Sequence, residues 1–179
     1  MLRKSLVAAS RSEKLESVIT NTSLSRAVVD RFVAGTTVAD AVDTARKLKE
    51  KGLYSTIDRL GESTEDDFDA QRTVDAYVEL LRALSADGLT SHAEVSVKLS
   101  AVGQALPGHG EELAKKNALE IARVANEVGT TVTFDMEDHT TIDSTLRILH
   151  AVREQFPNTG GVLQAQLYRT EDDVNAHSY

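Results

Sequence analysis

The chain has 179 residues, of which 41% are hydrophobic and 27% charged, and its net charge is −8; this is ordinary globular composition with apolar content for one sizeable core. The complete absence of cysteine removes disulfides, thiolate nucleophiles and thiolate metal sites, and the acidic balance, with four Tyr, four Phe and no Trp, argues against nucleic-acid binding through basic patches and stacked bases. No run of about 18 apolar residues is present to span a bilayer, and the N-terminus is too polar after Val7 for a secretory signal, so a soluble cytoplasmic protein is expected.

From Ser12 to Lys51 apolar residues recur every three to four positions: Leu15, Val18 and Ile19, then Val28, Val29 and Phe32, with Gly35 as a stop. A further helix starts with Thr36 or Thr37 as its cap, carries Val38, Ala41, Val42, Ala45 and Leu48 on one face, and ends at Gly52. Residues 1–51 are therefore expected to form an N-terminal helical segment, and residues 52–179 a second unit.

After Gly52 strands and helices alternate. LYSTID (53–58) reads as a strand, and 63–88 as a long helix capped by Ser63 or Thr64 with acids in its first turn. A second strand is expected over 93–103. The helix over 110–129 should bury Leu113, Ala118, Ile121, Ala122, Ala125 and Val128. A third strand follows over 131–136, then a helix over 140–157 that buries Ile142, Leu146, Leu149 and Val152. The fourth strand is placed at 160–169, with Gly160 and Gly161 as the turn into it. Thr170, followed by Glu171, Asp172 and Asp173, opens one more helix.

Such alternation implies right-handed βαβ units and a parallel sheet. The expected fold class is α/β: a partial (βα)8 TIM-type barrel of about four βα units, half of what a closed barrel needs, preceded by the N-terminal helices. A doubly wound nucleotide-binding sheet is the competing architecture, but no G-x-G-x-x-G follows any of the predicted strands. An incomplete barrel would leave two unpaired sheet edges and an uncovered apolar face, through which the chain could associate with itself.

Polar residues stand at the end of every predicted strand: Asp58, Lys98, Asp135 and Gln164. In barrels these positions converge on one pocket. Each also has a plainer reading. Lys98 either lies in the barrel mouth, where it needs an anionic partner such as Asp135, or turns outward as an edge gatekeeper. Asp135 either faces a pocket or starts a turn by bonding its own backbone. Glu137, Asp138 and His139 read as a solvated loop leading to a helix capped by Thr140 or Thr141. As metal ligands, Asp135, Glu137 and His139 would have to converge with open geometry, and His92, His109, His150 and His177 repeat no ligand spacing, so no metal is expected. The Gln164 amide, in an otherwise apolar segment, needs partners such as the edge of a polar heterocycle.

The strings RFVAGTTVADAV, VSVKLSAVG, FDMEDHTTIDSTL and VLQAQLYRTEDD, in this order, resemble the N-terminal half of the proline dehydrogenases, from about Arg31 to Asp173. The resemblance implies FAD lying over the C-terminal ends of the strands and oxidation of L-proline to Δ1-pyrroline-5-carboxylate by hydride transfer to it. It also implies that electrons pass to quinone at the membrane, with transient contact to its inner face. By the same resemblance Lys98 meets the proline carboxylate, Asp135 is the catalytic-site aspartate beside it, and Met136 and Gln164 contact the flavin. Gln166 departs from the aromatic residue carried by relatives. The matched stretch stops before the family's fifth-strand arginine, its phosphate and adenine contacts and its late arginine pair. A truncated form is therefore expected, the alternative being a half barrel that acts only with a complementary chain.

Overall fold

The computed structural model describes residues 33–61 and 64–177. The helix expected through Phe32, and Ser63, lie outside these residues. The chain divides into two units, Met1–Ala41 and Val42–Tyr179. Helix α1 (Val38–Glu50) starts at a capping box, as expected for Thr37: the Asp40 N–H donates to Thr37 Oγ1 at 3.2 Å, and Asp40 Oδ2 accepts the Thr37 N–H at 3.1 Å.

The second unit continues with β1 (Ser55–Asp58), α2 (Asp67–Ala86), β2 (Ala93–Val97), α3 (Gly110–Val128), β3 (Val132–Phe134), α4 (Ile142–Arg153), β4 (Gly160–Gly161) and α5 (Thr170–His177). Every strand pair is parallel, and the sheet order is β1-β2-β3-β4. This is the order of consecutive strands in a (βα)8 barrel, whereas a doubly wound sheet reverses around its first strand. The α/β class and the partial-barrel arrangement are those expected.

Alternation along the strands explains where the core sits. One face of the sheet presents Ala93, Val95, Val97, Val132 and Phe134, all buried, together with Val74, Leu81 and Leu84 of α2, Ala118 and Ile121 of α3, and Ile148 and Val152 of α4. The opposite face carries Thr56, Asp58, Glu94, Ser96, Lys98, Thr133 and Asp135. Their common side is fixed by the hydroxyls of Thr56, Thr131 and Thr133, which donate to the Glu94 carboxylate at 3.1, 2.5 and 3.3 Å across three strands. The expectation of an uncovered apolar face is thus corrected. The face that no described helix covers is polar, because AEVSVK alternates as a half-buried strand does.

Several boundaries also differ from expectation. β2 stops at Val97, and Ser100–Val102 winds into a 3-10 turn that buries Leu99, Ala101 and Val102 and closes at Gly103 with φ of 109°. Helix α2 is capped by Asp66, whose Oδ1 accepts the Asp69 N–H at 2.9 Å; the Thr64 hydroxyl instead donates to the Ala101 carbonyl at 3.0 Å. In α3 the buried stripe includes Ala114, Asn117 and Val124, while Leu113 and Val128 are only half-buried.

The fourth strand is Gly160–Gly161 alone. These glycines are the strand rather than the turn into it. A Cβ at Gly160 would stand 2.4 Å from Thr133 Oγ1, and one at Gly161 2.4 Å from Leu149 Cδ2. After a last ladder bond from the Val162 N–H to the Phe134 carbonyl, at 2.9 Å, the chain leaves the sheet and turns toward α5.

At the start of α3, a Cβ on Gly110 would lie 2.6 Å from the Gln104 carbonyl oxygen and 2.7 Å from that of Gly103. Backbone atoms cannot rotate away. Gly110→Ala is therefore expected to destabilise the fold by the ~1–3 kcal/mol typical of overpacking, and so to lower the melting temperature, even though alanine is the better helix former. A thermal melt with an unchanged or raised midpoint would show that the Gly103–Gln104 turn yields. Among the described residues no helix is long and apolar enough to cross a membrane.

Candidate functional site

Register places Asp58 beside Ser96 and Ser96 beside Thr133. Two residues past Ser96 and Thr133, alternation brings Lys98 and Asp135 to the same polar face. The Asp135 N–H donates to the Val97 carbonyl at 3.0 Å, which carries the ladder one residue beyond β3.

The three charged side chains meet at this mouth. Lys98 Nζ lies 2.5 Å from Asp58 Oδ2 and 3.4 Å from Asp135 Oδ2. The Ser96 hydroxyl donates to Asp135 Oδ1 at 2.7 Å. Lys98, Asp58 and Asp135 keep 21%, 27% and 28% of their side-chain surface exposed, so water is thinned but not excluded. Partial burial alone would lower the Lys98 pKa. The hydrogen bond and charge of Asp58, with those of Asp135, outweigh it and hold the ammonium above its usual value. The group is a cation throughout the neutral range.

Asp58 is supported from behind the sheet. Tyr77 of α2 is 1% exposed. Its hydroxyl donates to the Ser96 carbonyl at 2.8 Å, lies 3.2 Å from Asp58 Oδ1, and accepts the Arg59 N–H at 3.2 Å. Burial pushes the phenol well above the ordinary tyrosine range, so it remains a neutral donor.

Lys98 and Asp135, with Met136, Glu137, Asp138 and Val162, line an open cleft of about 500 Å³, a size suited to a small ligand. The reading of Glu137 as a solvated loop residue is corrected, since its carboxylate accepts the Ser100 N–H at 3.0 Å and the Ser100 hydroxyl at 2.5 Å. Asp138 makes an Asx turn, accepting the Thr140 N–H at 2.9 Å and its hydroxyl at 2.7 Å. Thr141 holds the N-cap position of α4 without capping through its side chain. Asp135, Glu137 and Asp138 thus have separate partners, and His139 is exposed. Among the described residues no group of three or more metal-ligating side chains converges.

Gln164 is not on a strand. It lies past β4, and its Nε2 donates to the Met136 and Glu137 carbonyls at 3.3 and 3.0 Å. The fold therefore brings Lys98, Asp135 and Met136 to one cleft and sets Gln164 against the backbone forming its wall. Of the two readings of Lys98, the inward one holds; of those of Asp135, the pocket-facing one. Sequence reasoning noted Asp58 as a strand end without giving it a role, and it missed Tyr77, a mid-helix aromatic indistinguishable from a core residue by spacing.

The proline dehydrogenase family profile matches residues 41–178. Proline dehydrogenase 1 of Bacillus subtilis (strain 168) is 37% identical over 144 residues, which cover 80% of this chain and 46% of that protein. Proline dehydrogenase of Deinococcus radiodurans is 35% identical over 148 residues, covering 82% and 47%. The chain thus spans about half the length of the curated relatives it matches. Among solved structures, proline utilization A from Bdellovibrio bacteriovorus, inactivated by N-propargylglycine, superimposes with a TM-score of 0.76 at 22% identity over 90% of this chain and 19% of that one. With a profile match across most of its length, the chain belongs to the proline dehydrogenase family.

Proposed function

We propose that this polypeptide is part of an FAD-dependent proline dehydrogenase that oxidises L-proline to Δ1-pyrroline-5-carboxylate. The observation that carries the reading is the Lys98–Asp135 pair in the cleft beyond β2 and β3, with the lysine held cationic between two carboxylates. A substrate carboxylate binds the Lys98 ammonium through a charge-assisted hydrogen bond. Asp135, kept in place by the Ser96 hydroxyl, puts negative charge where the substrate nitrogen arrives and so orients the ring.

The residues present suit the ring end of FAD. Met136 offers an apolar side chain in the cleft, and the Gln164 amide, its Nε2 spent on two carbonyls, keeps its Oε1 for a ring N–H. When bound, FAD supplies the acceptor for the hydride from the ring carbon next to nitrogen. The catalytic role belongs to Asp135, substrate binding to Lys98 and cofactor contact to Met136 and Gln164. We place the protein in the cytoplasm, passing electrons to a quinone at the inner face of the membrane.

The test is direct. Purified polypeptide should retain flavin absorbance, and anaerobic L-proline should bleach it. A colourless protein with no proline-dependent dye reduction would overturn activity of this polypeptide by itself. A second reading, a half barrel completed by another chain or by a second copy, is favoured by β1 and β4, each paired on one side only among the described residues, with Leu53, Tyr54 and Val162 exposed beside them. Light scattering that finds a stable oligomer without flavin would support it, and a monomer at all concentrations would count against self-association.

A further inference from the structure

The ammonium of Lys98 stands closer to Asp58 than to Asp135, yet the chemistry above uses only Asp135. We propose that Asp58 is a positioning residue, which anchors Lys98 at the cleft and leaves one ammonium N–H available to a ligand carboxylate. The proposal rests on the reading above for the identity of that ligand, and on geometry for the anchor itself.

An ammonium has three N–H donors. Asp58 takes one at 2.5 Å and Asp135 faces a second at 3.4 Å, so the third remains for an incoming anion. Lysine carries a flexible four-carbon stem whose immobilisation is entropically unfavourable, so an anchor made before the ligand arrives sharpens binding. Asp58 is suited to this task because it is itself held. Its backbone is in register with Ser96, and its Oδ1 is 3.2 Å from the hydroxyl of the buried Tyr77. That hydroxyl also bonds the Ser96 carbonyl and the Arg59 N–H, so β1, α2 and β2 are tied at the point where the carboxylate emerges. Asp135, by contrast, divides its oxygens between Ser96 and a longer contact to Lys98, which leaves it able to meet a substrate nitrogen. Two carboxylates with one ammonium thus separate two tasks: Asp58 holds the lysine and Asp135 faces the ligand.

Reductive methylation with formaldehyde and a borane, quantified lysine by lysine by peptide mass spectrometry, reads the anchor without requiring activity. In the wild-type chain Lys98 should react far more slowly than Lys47, whose side chain is 67% exposed. Asp58→Asn should speed Lys98 labelling by about tenfold, because the ammonium loses the carboxylate that holds its proton and its position, and Asp135→Asn by about threefold or less, with Lys47 and Lys115 unchanged. Tyr77→Phe should give an intermediate rise, and it carries the test if Asp58→Asn does not fold by circular dichroism. Labelling of Lys98 within about twofold of wild type in the folded Asp58 or Tyr77 variant, or a larger effect from Asp135→Asn, would overturn the proposal. Saturating L-proline should protect Lys98 in the wild-type chain. If protection is missing while the contrast between the Asp58 and Asp135 variants persists, the proline reading fails and the anchor stands; if the contrast is missing, the anchor fails whatever proline does.

Discussion

Lys98→Ala is expected to raise the KM for L-proline by about a hundredfold while leaving the flavin bound, since a hydrogen bond to a charged group contributes roughly 1.5–3 kcal/mol. The change should fall more on KM than on kcat, because the ammonium holds the carboxylate equally in the ground and transition states. The same substitution leaves Asp58 and Asp135 without the cation between them. Each is about a quarter exposed, so the expected loss of stability at neutral pH is about 1–3 kcal/mol, below that for a fully buried pair. Steady-state kinetics on the polypeptide carrying this sequence, with urea melts at pH 7, check both parts. An unchanged KM would remove Lys98 from substrate binding.

The largest effect on stability is expected at Phe134. It sits in β3 with 1% of its surface exposed, between β2 and β4 and under the helices. Phe134→Ala should cost about 3–5 kcal/mol, the lost transfer energy plus a cavity that the surrounding helices cannot fully close. At roughly 2–4 °C per kcal/mol for a chain of this size, the melting temperature should fall by about 6–20 °C. The damage should also reach the cleft, since the next residue is Asp135 and the Phe134 carbonyl accepts the Val162 N–H. Tyr168→Ala is the control, because that side chain is fully exposed and its loss should stay within about 0.5 kcal/mol. A Phe134→Ala midpoint indistinguishable from that of Tyr168→Ala would show that β3 is not the centre of the core.

Much of the site could be read along the chain because period-two alternation is local. In AEVSVK the apolar and polar positions separate cleanly, which puts Glu94, Ser96 and Lys98 on one face before any partner is known. The same alternation assigns Asp58 and Asp135 to strand ends. What alternation does not carry is who meets whom. The nearer partner of Lys98 is 40 residues away, at Asp58, and Ser100 reaches Glu137 across 37 residues; both contacts exist only once the strands are in register. Likewise, LSAV after Lys98 has the pattern of a strand but turns, because Leu99, Ala101 and Val102 find burial against α2 and α3. VLQAQLY alternates too, yet leaves the sheet, because the Gln164 amide finds two carbonyl partners in the loop after β3.

The amino-acid order by itself therefore determined the α/β class, the succession of four strands and the helices that cover them, and the polar character of the strand ends, since each follows from repeats a few residues long. Tertiary structure alone decided that Asp58 rather than Asp135 is the tighter partner of Lys98, that Tyr77 stands behind it, that Glu137 is tied to Ser100, and that two glycines suffice for the last strand. The physical reason is the same in each case: hydrogen bonds and close contacts between segments depend on distances set by register and packing, which no local pattern contains.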